Sequence, residues 1–117
     1  MRVAIVGSRG ILVESLEKYV SKEDEIISGG AIGVDTCAAE YARANGMKLT
    51  EFLPEYERYG RAAPIVRNQK IVDYAEKIIV FWDGRSKGAR SVIQYAKRTK
   101  KECVIVMCYG SDGGNGS

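Results

Sequence analysis

Three short stretches of this 117-residue chain carry residue types suited to holding an anion: Gly7-Ser8-Arg9-Gly10, Ser28-Gly29-Gly30-Ala31-Ile32-Gly33-Val34-Asp35 and Asp83-Gly84-Arg85-Ser86-Lys87-Gly88. Glycine in such a turn lets backbone N–H groups face outward and lets a ligand come close. Where a helix follows, its N-terminus adds about half a positive charge. Ser8, Ser28 and Ser86 supply hydroxyl donors, and Arg9, Arg85 and Lys87 supply fixed charge. A phosphate is held by donors of this kind without a metal. Each turn alone reads equally well as a tight strand-to-helix connection that binds nothing, because short Gly-rich loops are weak signals. Their recurrence points to a phosphate-bearing ligand.

Other residues have two readings each. Asp35 is either a first-turn carboxylate favoured by a helix dipole or an acceptor for a ribose hydroxyl. Asp83 is either a helix cap or a ligand contact. Arg67-Asn68 falls inside a helical pattern with Arg67 off the apolar side, where surface charge is the usual meaning. Trp82 either closes the core or stacks on a base. Tyr56 and Tyr59 sit on a loop from which they could fold over a ligand. Asp35 and Asp83 are the weak candidates for a catalytic carboxylate, and no catalytic residue is identified.

These residues must be positioned by alternating strands and helices. Arg2 to Val6, Glu25 to Ile27, Met47 to Leu53, Lys77 to Trp82 and Cys103 to Met107 read as strands, the first and fourth as unbroken apolar runs of the kind covered on both faces. Leu12, Leu16, Tyr19 and Val20 fall at helical spacing and predict a helix between the first two strands. Further helices are predicted over Thr36 to Asn45, Ala62 to Ala75 and Ala89 to Thr99. Gly46 stands where a helix C-terminal glycine belongs, and Pro64 fits a first turn. Residues 54–60 read as a charged, tyrosine-rich loop. Five strands alternating with four helices predict an α/β, Rossmann-like three-layer sandwich with a five-stranded parallel sheet in the order 3-2-1-4-5. In such a sheet ligands bind beyond the strands' carboxyl ends, where the winding reverses between strands 1 and 4. All three glycine-bearing turns are expected there. Residues 1–109 read as one domain, and 110–117, limited to Gly, Ser, Asn and Asp, as a disordered tail.

The chain's composition removes several chemistries. No histidine is present, which excludes His-based acids, bases and metal ligands. Cys37, Cys103 and Cys108 have no metal-site spacing; three apolar-flanked thiols suit a reducing cytoplasm, where they are expected buried and unpaired. Neither a metal nor a cofactor is expected. The net charge of +3 is mild, short of the signature of a dedicated DNA-binding domain. The cluster Lys97-Arg98-Lys100-Lys101 ends a helix, where cations are favoured in any case, at the edge away from the crevice. No apolar run approaches the roughly 20 residues of a membrane span, and no signal peptide is visible.

Four ordered motifs resemble the SLOG superfamily. They are Val3-Ala4-Ile5-Val6-Gly7-Ser8-Arg9, then Ser28-Gly29-Gly30-Ala31-x-Gly33-Val34-Asp35-x-x-Ala38, then Arg67-Asn68-x-x-Ile71, then Phe81-Trp82-Asp83-Gly84-x-Ser86-x-Gly88. That superfamily joins the DNA-processing protein A and Lonely Guy families, and the chain is most similar to its small stand-alone, YspA/YpsA-like branch. The resemblance covers about residues 2 to 108. It implies a Rossmann-like fold that binds nucleotides, nucleotide-derived ligands or nucleic acid. It implies a pocket lined by Gly7, Ser8, Arg9, Gly29, Gly30, Gly33, Asp35, Arg67, Asn68, Asp83, Gly84, Ser86 and Gly88; Ser28 and Lys87 join them from the reading of the turns. A homodimer is in keeping with it. Lonely Guy enzymes, which split nucleoside monophosphates, resemble Pro-Gly-Gly-x-Gly-Thr followed by a catalytic Glu. No carboxylate follows Gly88 within the predicted helix, so the general acid or base that the Lonely Guy motif places there is missing. The leading expectation is therefore a module that binds or senses a nucleotide-like small molecule. A nucleotide N-glycosidase or phosphoribohydrolase is the alternative, and single-stranded DNA binding the second alternative.

Overall fold

The computed structural model describes residues 1–8, 10, 11, 13, 15–29 and 34–108, the side chain of Asp35 apart. Five strands form one parallel sheet in the order β3-β2-β1-β4-β5: β1 (Arg2–Gly7), β2 (Glu25–Ser28), β3 (Leu49–Glu51), β4 (Lys77–Trp82) and β5 (Glu102–Met107). The expected fold class and strand order are both present. Central β1 pairs with β4 over Val3↔Lys77 to Gly7↔Phe81, and with β2 over Arg2↔Glu25 to Ala4↔Ile27.

Side chains alternate across the sheet, so each strand feeds two cores. Ala4, Val6, Ile27, Ile78 and Val80 face α3 (Ala63–Tyr74) and α4 (Lys87–Arg98), which contribute Ile71, Val72, Ala89, Val92, Ile93 and Ala96. Val3, Ile5, Ile26, Ile79 and Phe81 face α1 (Val34–Ala44), which contributes Val34, Ala38 and Ala42. Right-handed crossovers dictate this division, because connections that move toward β3 and those that move toward β5 fall on opposite faces. Gly46, at φ +66°, turns the chain out of α1, and Pro64 lies in the first turn of α3, as expected.

Three expectations need correction. The helix predicted over Leu12 to Val20 is a 3-10 turn at Leu16–Lys18; residues 12 and 14 lie outside those described. Leu16 is buried there and Tyr19 meets the edge of Phe81 at 5.2 Å between centroids, so the apolar spacing is met by a strap lying on the sheet. Residues 54–60 are not all loop, since α2 (Tyr56–Tyr59) makes one helical turn and a 3-10 turn follows at Gly60–Ala62. The three cysteines are unpaired as expected, but half-buried rather than buried. The tail at 110–117 and the domain boundary at 109 lie outside the described residues.

Candidate functional site

A cleft of ≈ 440 Å³ opens at the carboxyl ends of β1 and β4, on the face covered by α3 and α4. Gly7, Arg67, Asn68, Asp83, Ser86 and Gly88 line it, and Val6, Ile71, Ala89 and Val92 make an apolar floor. Pro64 and Tyr56 complete its wall, Tyr56 as an exposed rim residue. It sits where the winding reverses, between strands whose connections leave in opposite directions.

The β4 turn is built by its own side chains. Oδ1 of Asp83 accepts from the Arg85 and Ser86 amides, both at 2.8 Å. Gly84 takes φ +82°, which a side chain rarely adopts. Ser86 caps α4, its hydroxyl oxygen accepting from the Ala89 amide at 3.4 Å. The Trp82 indole N–H donates to the Ser86 carbonyl at 3.1 Å. Trp82 is half-buried against the core and is not among the cleft-lining residues, in line with its reading as a core residue. The amides of Ser86 and Arg85 hold the Asp83 carboxyl below the usual carboxylate range. Gly88 is the second residue of α4, and a Cβ there would meet nothing within 4 Å. The first turn of α4 is thus bare toward the cleft.

The β1 turn is built differently. A Cβ on Gly7 would stand 2.6 Å from Val34 Cγ2 and 2.7 Å from the Phe81 carbonyl oxygen. The missing side chain therefore lets α1 and β4 close on β1, beyond any use to a ligand. Ser8 is buried, and its Oγ accepts from the Asp83 amide at 3.2 Å, tying one turn to the other. The helix predicted between the first two strands does not open at this turn, because the described residues between β1 and β2 form only the 3-10 turn.

Arg67 joins the site to β2. Its Nη1 donates to the Gly29 carbonyl at 2.6 Å and its Nε to Asn68 Oδ1 at 2.8 Å. Both bonds hold the guanidinium at the cleft wall, away from the solvated pose expected of surface charge. Ser28 is buried within β2 and Gly29 is buried behind Arg67. Gly84 and Lys87 belong to the β4 turn but do not line the cleft, and Lys87 is exposed. Arg9, Gly30, Gly33 and the side chain of Asp35 lie outside what is described. The basic cluster stands at the opposite end of the sheet, where Lys101 Nζ donates to the carbonyls of Asp73 and Ala75 at the end of α3.

Sequence reasoning missed the apolar floor. Ile71 and Val92 carry the helical spacing of core residues, and nothing in the spacing separates a core position from one under an open cleft. Chemically, the cleft combines a helix N-terminus and a guanidinium with an apolar base. Asp83 is the sole carboxylate among its described lining residues, and it is held ionised. Among the described residues no group of His, Cys, Asp or Glu could hold a metal, and no helix is long and apolar enough to cross a membrane.

Comparison with known proteins gives a family match. The model of a family described as YAcAr, the YspA, cpYpsA-related SLOG family, matches residues 1–59. No curated protein and no solved structure matches the chain. The matched half holds β1 to β3, α1 and the first two glycine-bearing turns, whereas Arg67, Asn68 and the β4 turn lie beyond it. Such a family suggests a nucleotide-related function. On the match to half of its length, the chain belongs to the YspA, cpYpsA-related SLOG family.

Proposed function

We propose that the cleft binds a nucleotide or nucleotide-derived phosphate ligand and serves recognition rather than turnover. One observation carries this reading: the bare first turn of α4 at Gly88 and the guanidinium of Arg67 line the same cleft at the winding reversal. Phosphate would sit on the α4 amides, assisted by Arg67, with Asn68 and Ser86 as further polar contacts. The less polar part of the ligand would lie on Val6, Ile71 and Val92, with Tyr56 at the rim. Arg67 is bonded to Gly29, the residue before Gly30 in the chain, and Arg9, Gly30, Gly33 and Asp35, which the family resemblance assigns to the pocket, are proposed as further contacts of the same ligand. Ser8, Ser28, Gly84 and Lys87 act behind or beside it.

Turnover is disfavoured by the state of Asp83. A carboxylate held ionised by two amides is a poor proton donor, and its lowered pKa makes it a weak base. The reading is of a cytoplasmic protein, supported by three unpaired cysteines.

Isothermal titration of AMP and related nucleotides into the wild-type protein and Arg67→Ala tests the proposal. The variant is expected to bind about 5- to 150-fold more weakly, the effect of losing a hydrogen bond to a charged group. Equal affinity, or no nucleotide bound by the wild type, overturns it. Chromatography of the same mixtures separates the alternative: free base released in proportion to enzyme makes the protein a hydrolase. Asp35→Asn and Asp83→Asn then identify the carboxylate involved.

A further inference from the structure

The two edges of the sheet differ in protection. Edge strand β3 is three residues long and ends in exposed Glu51, with the Lys48–Glu25 ion pair beside it. Short length and charge are the usual defences of an edge. Edge strand β5 is six residues long, and four of its six residues, Val104 to Met107, are apolar aliphatic or thioether side chains. The Cys108 amide donates to the Trp82 carbonyl at 2.7 Å. By alternation along the strand, the N–H and C=O groups of Cys103, Ile105 and Met107 point away from β4. Ile105 and Met107 are 40% and 45% exposed. They pair with Val80 and Trp82, so they stand on the α4 side of the sheet.

A row of cations runs beside this edge. Arg90 lies over the ring of Trp82, the β4 residue that pairs with Met107, at 5.9 Å, and Lys97 is near enough to act on the Cys103 thiol. Both belong to the exposed flank of α4 turned from the cleft, and neither forms an ion pair among the described residues. Residues 84–101 hold seven Lys and Arg and no Asp or Glu, while the rest of the chain is net acidic. Seven residues of helix rise about 10 Å, and the four steps from Cys103 to Met107 span about 13 Å. The cations are therefore spaced to match the strand positions Cys103 and Met107.

We infer that β5 accepts an extended segment of a partner protein as a sixth strand, with acidic, apolar and acidic side chains at alternate positions, the acids meeting Arg90 and Lys97 and the apolar residue meeting Ile105. Backbone pairing gives affinity and alternate side chains give specificity. Charge decides the occupant. A second copy paired antiparallel along β5 brings two rows of Arg90 and Lys97 together, and like charges across a strand pair repel. A nucleic-acid backbone would use the cations but leave the strand edge and Ile105 unused. The surface lies on the far flank of α4 from the cleft, so the inference stands apart from what the cleft binds.

The test uses a fluorescein-labelled heptapeptide with glutamate at its second and sixth positions, valine at the fourth and threonine elsewhere. Anisotropy at low ionic strength reads its binding to the full chain. Two control peptides leave the protein unchanged: one with lysine for glutamate, one N-methylated at the alternate amides that would face β5. Each control, and the Arg90→Glu/Lys97→Glu variant, is expected to weaken binding by about tenfold or more. The inference is overturned by no binding of the glutamate peptide at millimolar concentration, or by equal binding of either control. Tighter binding of a single-stranded oligonucleotide, lost in the same variant, reassigns the surface to nucleic acid. A dimer in sedimentation that Ile105→Lys dissociates reassigns it to self-association. Should the double variant fail to fold, the two control peptides decide.

Discussion

The turns that end β1 and β4 lie side by side and are joined by the Ser8–Asp83 bond, yet only the second leads into an α-helix among the described residues. After β4, the Asp83 carboxylate takes the Arg85 and Ser86 amides of the turn, Gly84 adopts the left-handed conformation, and the Ser86 hydroxyl caps the Ala89 amide in the first turn of α4. Among the described residues after β1 no equivalent side-chain cap is formed. Ser15, which precedes the 3-10 turn, has no side-chain cap bond and sits at φ −126°, ψ 55°. An apolar repeat can be met by helix or strap alike. The groups that satisfy the first-turn amides commit a segment to helix. At one turn glycine makes room for packing, and at the other for open space at a helix start.

Three measurements of stability by urea unfolding break or sharpen this contrast. Gly7→Ala should have the largest effect, a loss of about 3 kcal/mol, because its Cβ collides with backbone and a β-branched side chain. A change within a few tenths of that of wild type would mean that the β1 turn has slack and that its glycine serves a ligand alone. Asp83→Ala should cost about 1–2 kcal/mol near neutral pH, since part of that interaction is screened by solvent. Its sign with pH follows from the lowered carboxyl. The folded state binds this proton less readily than the unfolded chain, so the stabilisation is complete above the ordinary value of about 4. It is lost as pH falls through the folded value, and wild type and Asp83→Ala should then converge. A gap that stays constant into acid would show that charge is irrelevant there. Ser86→Ala should cost about 1 kcal/mol, recovered by Ser86→Asn, as for other N-caps.

The fold was legible where a residue's meaning is local. The unbroken runs Val3–Val6 and Ile78–Phe81 are buried on both faces, and the central strands lie where those runs lie. The fourth helix begins at Lys87, two residues earlier than the apolar spacing from Ala89 implies, because Ser86 rather than the first core residue sets its start. Meanings that depend on distant partners were not legible. Arg67 reads as surface charge by spacing, but its partner is a carbonyl 38 residues away. Gly7 reads as space for a ligand, but its neighbour is Val34, across a connection that no periodicity describes. The resemblance of motifs raised Arg67 to a pocket residue, which residue spacing alone could not do.

Trp82 is the chain's sole tryptophan, and its indole is tied to the residue that caps α4. Its emission is therefore a single-site optical report on the start of that helix. Occupancy of the cleft, loss of the cap, or a strand added beside Met107 each changes the polarity or hydrogen bonding around that one ring. Every state of the junction can thus be followed in the unlabelled protein, without a second chromophore of its kind to deconvolute.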